Sequence, residues 1–301
     1  MIGFGQNVNI PDANFKAYLV GETLINTNGD TEIQVSEASV FGGTLNVNNQ
    51  SISDLTGIEA FTALIALSCD SNQLTALDIT QNTALINLSC NDNDLNTLDI
   101  TQNTALTQLQ CYGNSISSLD VSQNTALTEL ACWENELTSL DVSQNTALTQ
   151  FLCHYNQLTS LDVSQNTALT LIKCDYNQLT SLDLSNNTAL TLIRCGYNQL
   201  TSLDVRNGNN TLLDTNFICS GNPNLSCINV DDSTWSTSNW TDIDPQHYFS
   251  TNCSTTNINE QTTNKELLEV TDLLARKTKQ TNQPLLYFYD DGTVEKRIVI
   301  E

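Results

Sequence analysis

Between Leu64 and Leu200 the chain repeats one 21-residue pattern without a slip, and that period constrains the fold more than any other feature. Read from Leu106 it runs LTQLQCYGNSISSLDVSQNTA, and from Leu148 it runs LTQFLCHYNQLTSLDVSQNTA. Cysteine marks the unit at Cys69, Cys90, Cys111, Cys132, Cys153, Cys174 and Cys195. Asparagine follows three positions later, at Asn72, Asn93, Asn114, Asn135, Asn156, Asn177 and Asn198. A fixed period of about 20 to 50 residues signals a solenoid, because one such unit cannot bury its own apolar face and copies must stack to do so.

Written as L-x-x-L-x-C-x-x-N-x-L, the unit is similar to the leucine-rich repeat. That resemblance implies an α/β-type solenoid, a right-handed coil of about nine turns with a parallel sheet on its concave face. The irregular first coil, Leu45 to Ala63, carries ISDLTGIEAFTA, which resembles the repeats of internalin-like leucine-rich-repeat surface proteins. The likeness covers Asn7 to Cys253 and is specific for fold, not for ligand.

Ten basic against 34 acidic residues give a formal charge of −24. Nucleic acid and anionic membrane surfaces both require clustered Lys and Arg, so neither is an expected partner. No stretch approaches the roughly 18 apolar residues of a spanning helix. Seven of the ten cysteines fall one per repeat. In L-x-C the two side chains sit two apart on a strand and share its inner face. A buried thiol column is expected there, with Cys219 closing it, because free Cys packs as a small hydrophobe. Cys227 and Cys253 fall outside the column and form a candidate disulfide, in keeping with an extracellular setting.

Met1 to Gln6 (MIGFGQ) reads as the tail of a secretory signal peptide. Residues 7–44 form an expected N-terminal cap, with a short helix in PDANFKAYLV that shields the open end of the solenoid. The loop after it, counted from Asn26, places Asn26, Asn28 and Asp30 at positions 1, 3 and 5, Glu32 at 7 and Glu37 at 12. That spacing resembles an EF-hand loop and implies Ca²⁺ as the one candidate cofactor. It departs from the pattern at Asn26, where Asp is usual, and at Thr31, where Gly is usual.

Within residues 45–230 the asparagine after each cysteine should be buried, its amide bonded to neighbouring backbone. Asp78, Asp99, Asp120, Asp141, Asp162, Asp183 and Asp204 form a second, solvent-facing column. They bond locally to Ser, Thr and backbone N–H groups, or they hold cations. Residues 231–253 break the period and carry Trp235, Trp240, Tyr248 and Phe249, enough apolar area to close the far end with Cys227–Cys253 as its staple.

Residues 254–264 are a polar linker, and the composition then changes: Lys265, Arg276, Lys277, Lys279, Lys296 and Arg297 make up six of the ten basic residues. KELLEVTDLLARKTKQTNQPLLYFYDDGTVEKRIVIE alternates apolar and polar residues around a DDG turn, as a small set of strands would. Residues 265–301 resemble the C-terminal sorting signal of type IX secretion substrates of Bacteroidota, with Ala275 in place of the usual Gly. The resemblance implies the type IX machinery as a partner, and a protein secreted or attached to the outer cell surface.

Only two histidines, no Gly-rich phosphate loop and no nucleophile–base set argue against catalysis. The chain supplies its own comparison for a binding site. LTSLDVSQNTALT barely changes from coil to coil, while the outward strand positions vary. Aromatic side chains gather there at Tyr112, Trp133, His154, Tyr155, Tyr176 and Tyr197, beside Glu134 and Asp175. Lys173 and Arg194, two of three basic residues between Ala17 and Asn264, stand next to each other in the same array. Contiguous exposed aromatic residues and Arg are what interfaces use. These ten residues are the candidate site for a protein or glycan ligand on the concave face, sugar faces stacking on the rings and the two cations meeting a carboxylate or sulfate. The other possibility is a structural or adhesive surface-coat protein with no specific ligand there.

Overall fold

The computed structural model describes residues 5–213 and 216–253, together with the backbone of three strands further on. Helix α1 spans Ala13–Gly21, α2 Val35–Ala38 and α3 Ser233–Asn239. In chain order the strands of the coils are β1 Thr44–Asn46, β2 Ala66–Ser68, β3 Asn87–Ser89, β4 Gln108–Gln110, β5 Glu129–Ala131, β6 Gln150–Leu152, β7 Leu171–Lys173, β8 Ser181–Asp183, β9 Leu192–Arg194, β10 Ser202–Asp204, β11 Phe217–Ile218, β12 Cys227–Asn229 and β13 Tyr248–Ser250.

Nine of these strands form one parallel sheet in the order β1-β2-β3-β4-β5-β6-β7-β9-β11. Because the period never slips, each residue from β2 to β9 pairs with its own equivalent one coil later: Leu88 with Leu109, Leu130 with Phe151, Lys173 with Arg194. A parallel bridge from Ile218 to Asp242 adds a tenth rung at the end. Each three-residue strand turns its middle residue inward, and Leu67, Leu88, Leu109, Leu130, Phe151, Ile172 and Ile193 are all at most 1% exposed. The cysteine after each strand is fully buried, Cys219 included; burial pushes the thiols of Cys69, Cys90, Cys111, Cys132, Cys153 and Cys174 up, Cys111 to about 12. The thiol column is therefore core.

The leucine-rich-repeat solenoid expected from the sequence is the fold, with one refinement: among the described residues α-helix is confined to the two ends of the array. Twenty-one residues must hold a strand, two turns and a return path, and L-T-S-L-D-V makes that path extended. Toward the C-terminal end it pairs as a second parallel sheet, β13-β12-β10-β8.

Two columns of buried asparagine hold the coils together. The one after cysteine acts as expected: Asn156 Nδ2 donates to Cys132 O and Cys153 O, and its Oδ1 accepts from Leu137 N–H. A second column, Asn82, Asn103, Asn124, Asn145, Asn166 and Asn187, lies in the turn before each inner leucine and is fully buried. Asn145 there donates to Val121 O and Asn124 O. The aspartate column bonds locally: Asp141 Oδ1 accepts from Ser143 N–H, which together with the Ser143 hydroxyl lowers its pKa.

Both ends are closed. Asp12 caps α1 by accepting from Asn14 and Phe15 N–H, and Phe15 and Leu19 are fully buried. At the other end Trp240 is 2% exposed and stacks on Phe217 at 4.1 Å, with Phe249 and Trp235 edge-on to it. Cys227 and Cys253 form the expected disulfide.

The chain divides into two compact units, Met1–Cys253 and Ser254–Glu301. In the second, β14 Leu267–Asp272, β15 Pro284–Tyr289 and β16 Val294–Ile298 form an antiparallel sheet in that order. The DDG turn at Asp290–Gly292 and most of the signal-peptide-like start lie outside the described residues. Among the described residues no helix is long and apolar enough to cross a membrane.

Candidate functional site

Four positions per coil face outward on the nine-stranded sheet: the first and third strand residues, then the two residues after cysteine. The last of these leaves the sheet through a left-handed turn in every coil from Ser71 to Gly221, with φ between 50° and 82°. Ser71, Asp92, Gly113 and Glu134 occupy it in the early coils, Tyr155, Tyr176 and Tyr197 in the later ones. A left-handed conformation suits Gly and tolerates Asn or Asp; a bulky residue is strained there.

The position directly after cysteine changes character midway. In the early coils it is a polar ladder: Asn48 Oδ1 accepts from Asp70 N–H, Asp70 Oδ1 from Asn91 N–H, and Asn91 Oδ1 from Tyr112 N–H. From Tyr112 onward the ladder gives way to rings. Tyr112 stacks on Trp133 at 4.2 Å and 13°, and Trp133 on His154 at 5.1 Å and 11°. His154 leans on Tyr155 at 5.6 Å, where the row shifts into the left-handed column. Tyr155 stacks on Tyr176 and Tyr176 on Tyr197, each at 4.3 Å. All six predicted aromatic positions thus form one continuous row. Its tyrosine end is open to solvent, with Tyr155, Tyr176 and Tyr197 exposed by 48%, 38% and 53%.

Lys173 and Arg194 are register partners on β7 and β9. Among the described residues the ion pairs are Lys16–Glu32, Arg206–Asp204 and His247–Asp244, so neither cation of the site is paired. Their charge reaches His154, whose pKa falls to about 4 through burial first and then through Lys173 and Arg194. Burial raises the Asp175 carboxyl, and Arg194 and Lys173 oppose that rise. His154 Nδ1 and Asp175 Oδ1 are buried with no hydrogen-bond partner. Glu134 is exposed at the rim.

Sequence reasoning passed over the outward apolar residues beside the cations. Leu152 and Ile218 flank Lys173 and Arg194 in one column, in register on β6 and β11. Leu171 and Leu192 stand in the first strand position of the same two coils. All four are half-buried. The available signal was Leu or Ile at outward positions that hold Ser, Ala, Asn, Gln or Glu in the earlier coils.

The rings also stack differently from the expectation that sugar faces would lie on them. Within the two stacks, Tyr112–Trp133–His154 and Tyr155–Tyr176–Tyr197, neighbouring faces are turned to one another.

The EF-hand-like residues do come together on the turn between α1 and α2, yet their oxygens are engaged by protein donors. Glu37 Oε1 accepts from Thr27 N–H, Thr27 Oγ1–H and Asn28 N–H, and Oε2 accepts from Gln34 N–H as part of a capping box. Asn26 Oδ1 accepts from Gly29 N–H, Asn28 Oδ1 from Asp30 N–H, and Asp30 Oδ1 from Glu32 N–H. Glu32 pairs with Lys16 at 2.7 Å. Among the described residues no three His, Cys, Asp or Glu side chains are grouped to hold a metal ion. As folded, this donor set fits a turn closed on itself, and Ca²⁺ would have to displace those donors.

No family model matches the chain, and no curated protein does. Among solved structures 143 chains match. They include the functional domain of InlJ from Listeria monocytogenes, a domain with a cysteine ladder, at 31% identity and a TM-score of 0.48 over 82% of this chain and 63% of that one. A leucine-rich-repeat protein of Leptospira interrogans matches at 20% identity and a TM-score of 0.49, over 70% and 53%. An internalin, inlF, from Listeria monocytogenes matches at 16% identity and a TM-score of 0.37, over 83% and 94%. The chain therefore spans less than two thirds of the first two.

Proposed function

We propose that the repeat array is a recognition module, secreted or held on the outer cell surface, that binds a protein or glycan ligand on the outward face of its nine-stranded sheet. One observation carries this reading: six aromatic rings run along coils whose fold needs none of them, beside two unpaired cations. Tyr, Trp and Arg are the residue types that anchor interfaces. The likeness of residues 265–301 to a type IX sorting signal supports export through that machinery.

The test is binding of the full chain to an array of neutral and acidic glycans and surface proteins, beside a Trp133→Ala/Lys173→Ala/Arg194→Ala variant. A hit lost in the variant supports the reading; a hit retained moves the site off this face. Export is tested separately, since deletion of residues 265–301 should leave the protein in the periplasm on cell fractionation.

The regular aspartate column favours a second reading, a structural or adhesive coat protein. Its carboxylates are bonded locally and leave a regular acidic face, on which copies would pack through bridging cations. Silence across the whole array would favour it.

A further inference from the structure

Resting on that reading, we infer that the ligand is a protein, and that the group it seats on Lys173 and Arg194 is a carboxylate flanked by apolar side chains. Three features of the face converge on this chemistry.

The first is the orientation of the rings. A glycan that binds aromatic residues lays its ring over an open aromatic face. Here the interplanar angles of 10° and 6° along Tyr155, Tyr176 and Tyr197 close the inner faces against one another. At the far end Gly221 packs so close that an added Cβ would lie 2.9 Å from the Tyr197 ring. The edges of the three rings face solvent beside their mutually interacting hydroxyls. The edge is the positive part of the ring quadrupole, so it suits an anionic oxygen.

The second is the order of residues in the third strand position. Along successive coils it reads Leu152, Lys173, Arg194, Ile218, with each neighbour in register. Two like charges on adjacent parallel strands, about 4.8 Å apart at the backbone, repel until an anion lies between them. Guanidinium binds carboxylate through two parallel hydrogen bonds, and the ammonium adds a third donor. The apolar residues on either side, with Leu171 and Leu192 across the strand, need apolar partners to leave water. A carbohydrate has little to offer them, whereas Leu, Val or Phe next to Asp or Glu covers both kinds of surface.

The third is the acidic setting. The chain carries −24, and Asp175 lies beside the cations without pairing. Long polyanions such as polyuronates are repelled by such a background, while one carboxylate delivered by a shaped partner is not.

The experiment is selection of a displayed random peptide library on the full-length chain, in parallel with an acidic and neutral oligosaccharide array. The expected result is enrichment of peptides with Asp or Glu within two residues of a large apolar residue. Their affinity should drop at least tenfold on Lys173→Gln/Arg194→Gln, and also on replacing the peptide acid by its amide. Melting curves of the variant should lie at or slightly above the wild type, because both side chains are outside the core and their mutual repulsion is removed. A Lys173→Glu/Arg194→Glu variant should instead bind the peptide with Lys in place of its acid. Selected peptides without an acid, or peptides whose binding ignores the variant, would overturn the inference. Acidic glycans bound at these residues with no peptide selected would also overturn it, yet leave the recognition reading intact. Silence in both arms would sink both.

Discussion

The two asparagine columns share a side chain, a period and deep burial, but their bonding differs, and the difference sets how much each contributes. When Asn156 is cut to alanine, Cys132 O keeps a donor from Asn135 and Cys153 O keeps one from Asn177. Leu137 N–H keeps nothing, because Asn156 Oδ1 at 3.0 Å is its acceptor. A buried N–H without an acceptor costs about 1–3 kcal/mol, and two lost neutral bonds about 0.5–1.5 kcal/mol each, so Asn156→Ala should cost about 2–6 kcal/mol. For Asn145→Ala, both carbonyls retain a backbone donor, Val121 O from Asn124 N–H and Asn124 O from Leu127 N–H. Asn145 Oδ1 is itself buried without a partner, so its removal relieves a penalty. The two lost bonds are then largely offset, leaving about 0–1.5 kcal/mol. The atoms deleted are the same, so cavity terms nearly cancel, and a gap of about 2–3 kcal/mol should separate the variants in urea unfolding. If Asn145→Ala is as destabilising as Asn156→Ala, the donor-counting logic is wrong and the column acts by shape alone.

Three further outcomes are expected. His154, held at about 4 against an ordinary 6.5, takes up its proton later in the folded than in the unfolded chain. Its contribution is therefore whole above about pH 6.5 and lost as pH falls toward 4; His154→Gln should flatten that part of the melting-temperature profile, and an unchanged slope would refute the burial argument. Reduction of Cys227–Cys253, with a sequence separation of 26 residues, should cost about 3.5 kcal/mol by loop entropy, while the eight buried free cysteines stay unlabelled by a thiol reagent until the chain unfolds. Glu37→Ala should lower the melting temperature by several degrees, and millimolar Ca²⁺ should shift neither protein; a Ca²⁺-dependent rise in the wild type alone would restore the ion to that loop.

What was legible in the amino-acid order is what the period enforces. Invariant spacing sets the register, so the cysteine column, the asparagine after it and the outward columns could be read directly. Cys227 and Cys253 stood out because they broke the count. Other features depend on angles that spacing does not carry. Columns of Tyr and Trp were visible, but face-to-face stacking depends on side-chain torsions that spacing does not carry. Gly113 and Gly221 in that column, at φ 64° and 82°, were the clue to the turn, and three tyrosines masked it. The second asparagine column was hidden by its own regularity, lying in the segment that varies least. The EF-hand-like spacing placed its oxygens together, but a capping box needs the same carboxylate at Glu37 and engages it from within the chain.

Because the coils share one core, the early ones are a control for the late ones. The left-handed position is filled by Ser71, Asp92 and Gly113, so the fold sets no demand for an aromatic residue there. Each tyrosine at that position carries about 1–2 kcal/mol of backbone strain. The two stacks among Tyr155, Tyr176 and Tyr197 return about 0.5–1.5 kcal/mol each. Three strained residues against two stacks leave a net cost, and glycine or asparagine would serve folding better in all three coils. The same holds for the cations: Lys173 and Arg194 repel each other across adjacent strands, and among the described residues neither forms an ion pair, although Asp175 lies near enough to feel both. Three strained tyrosines and two adjacent cations on one face, in consecutive coils, thus cost the fold more than they return, and a bound anion would offset the repulsion between the cations.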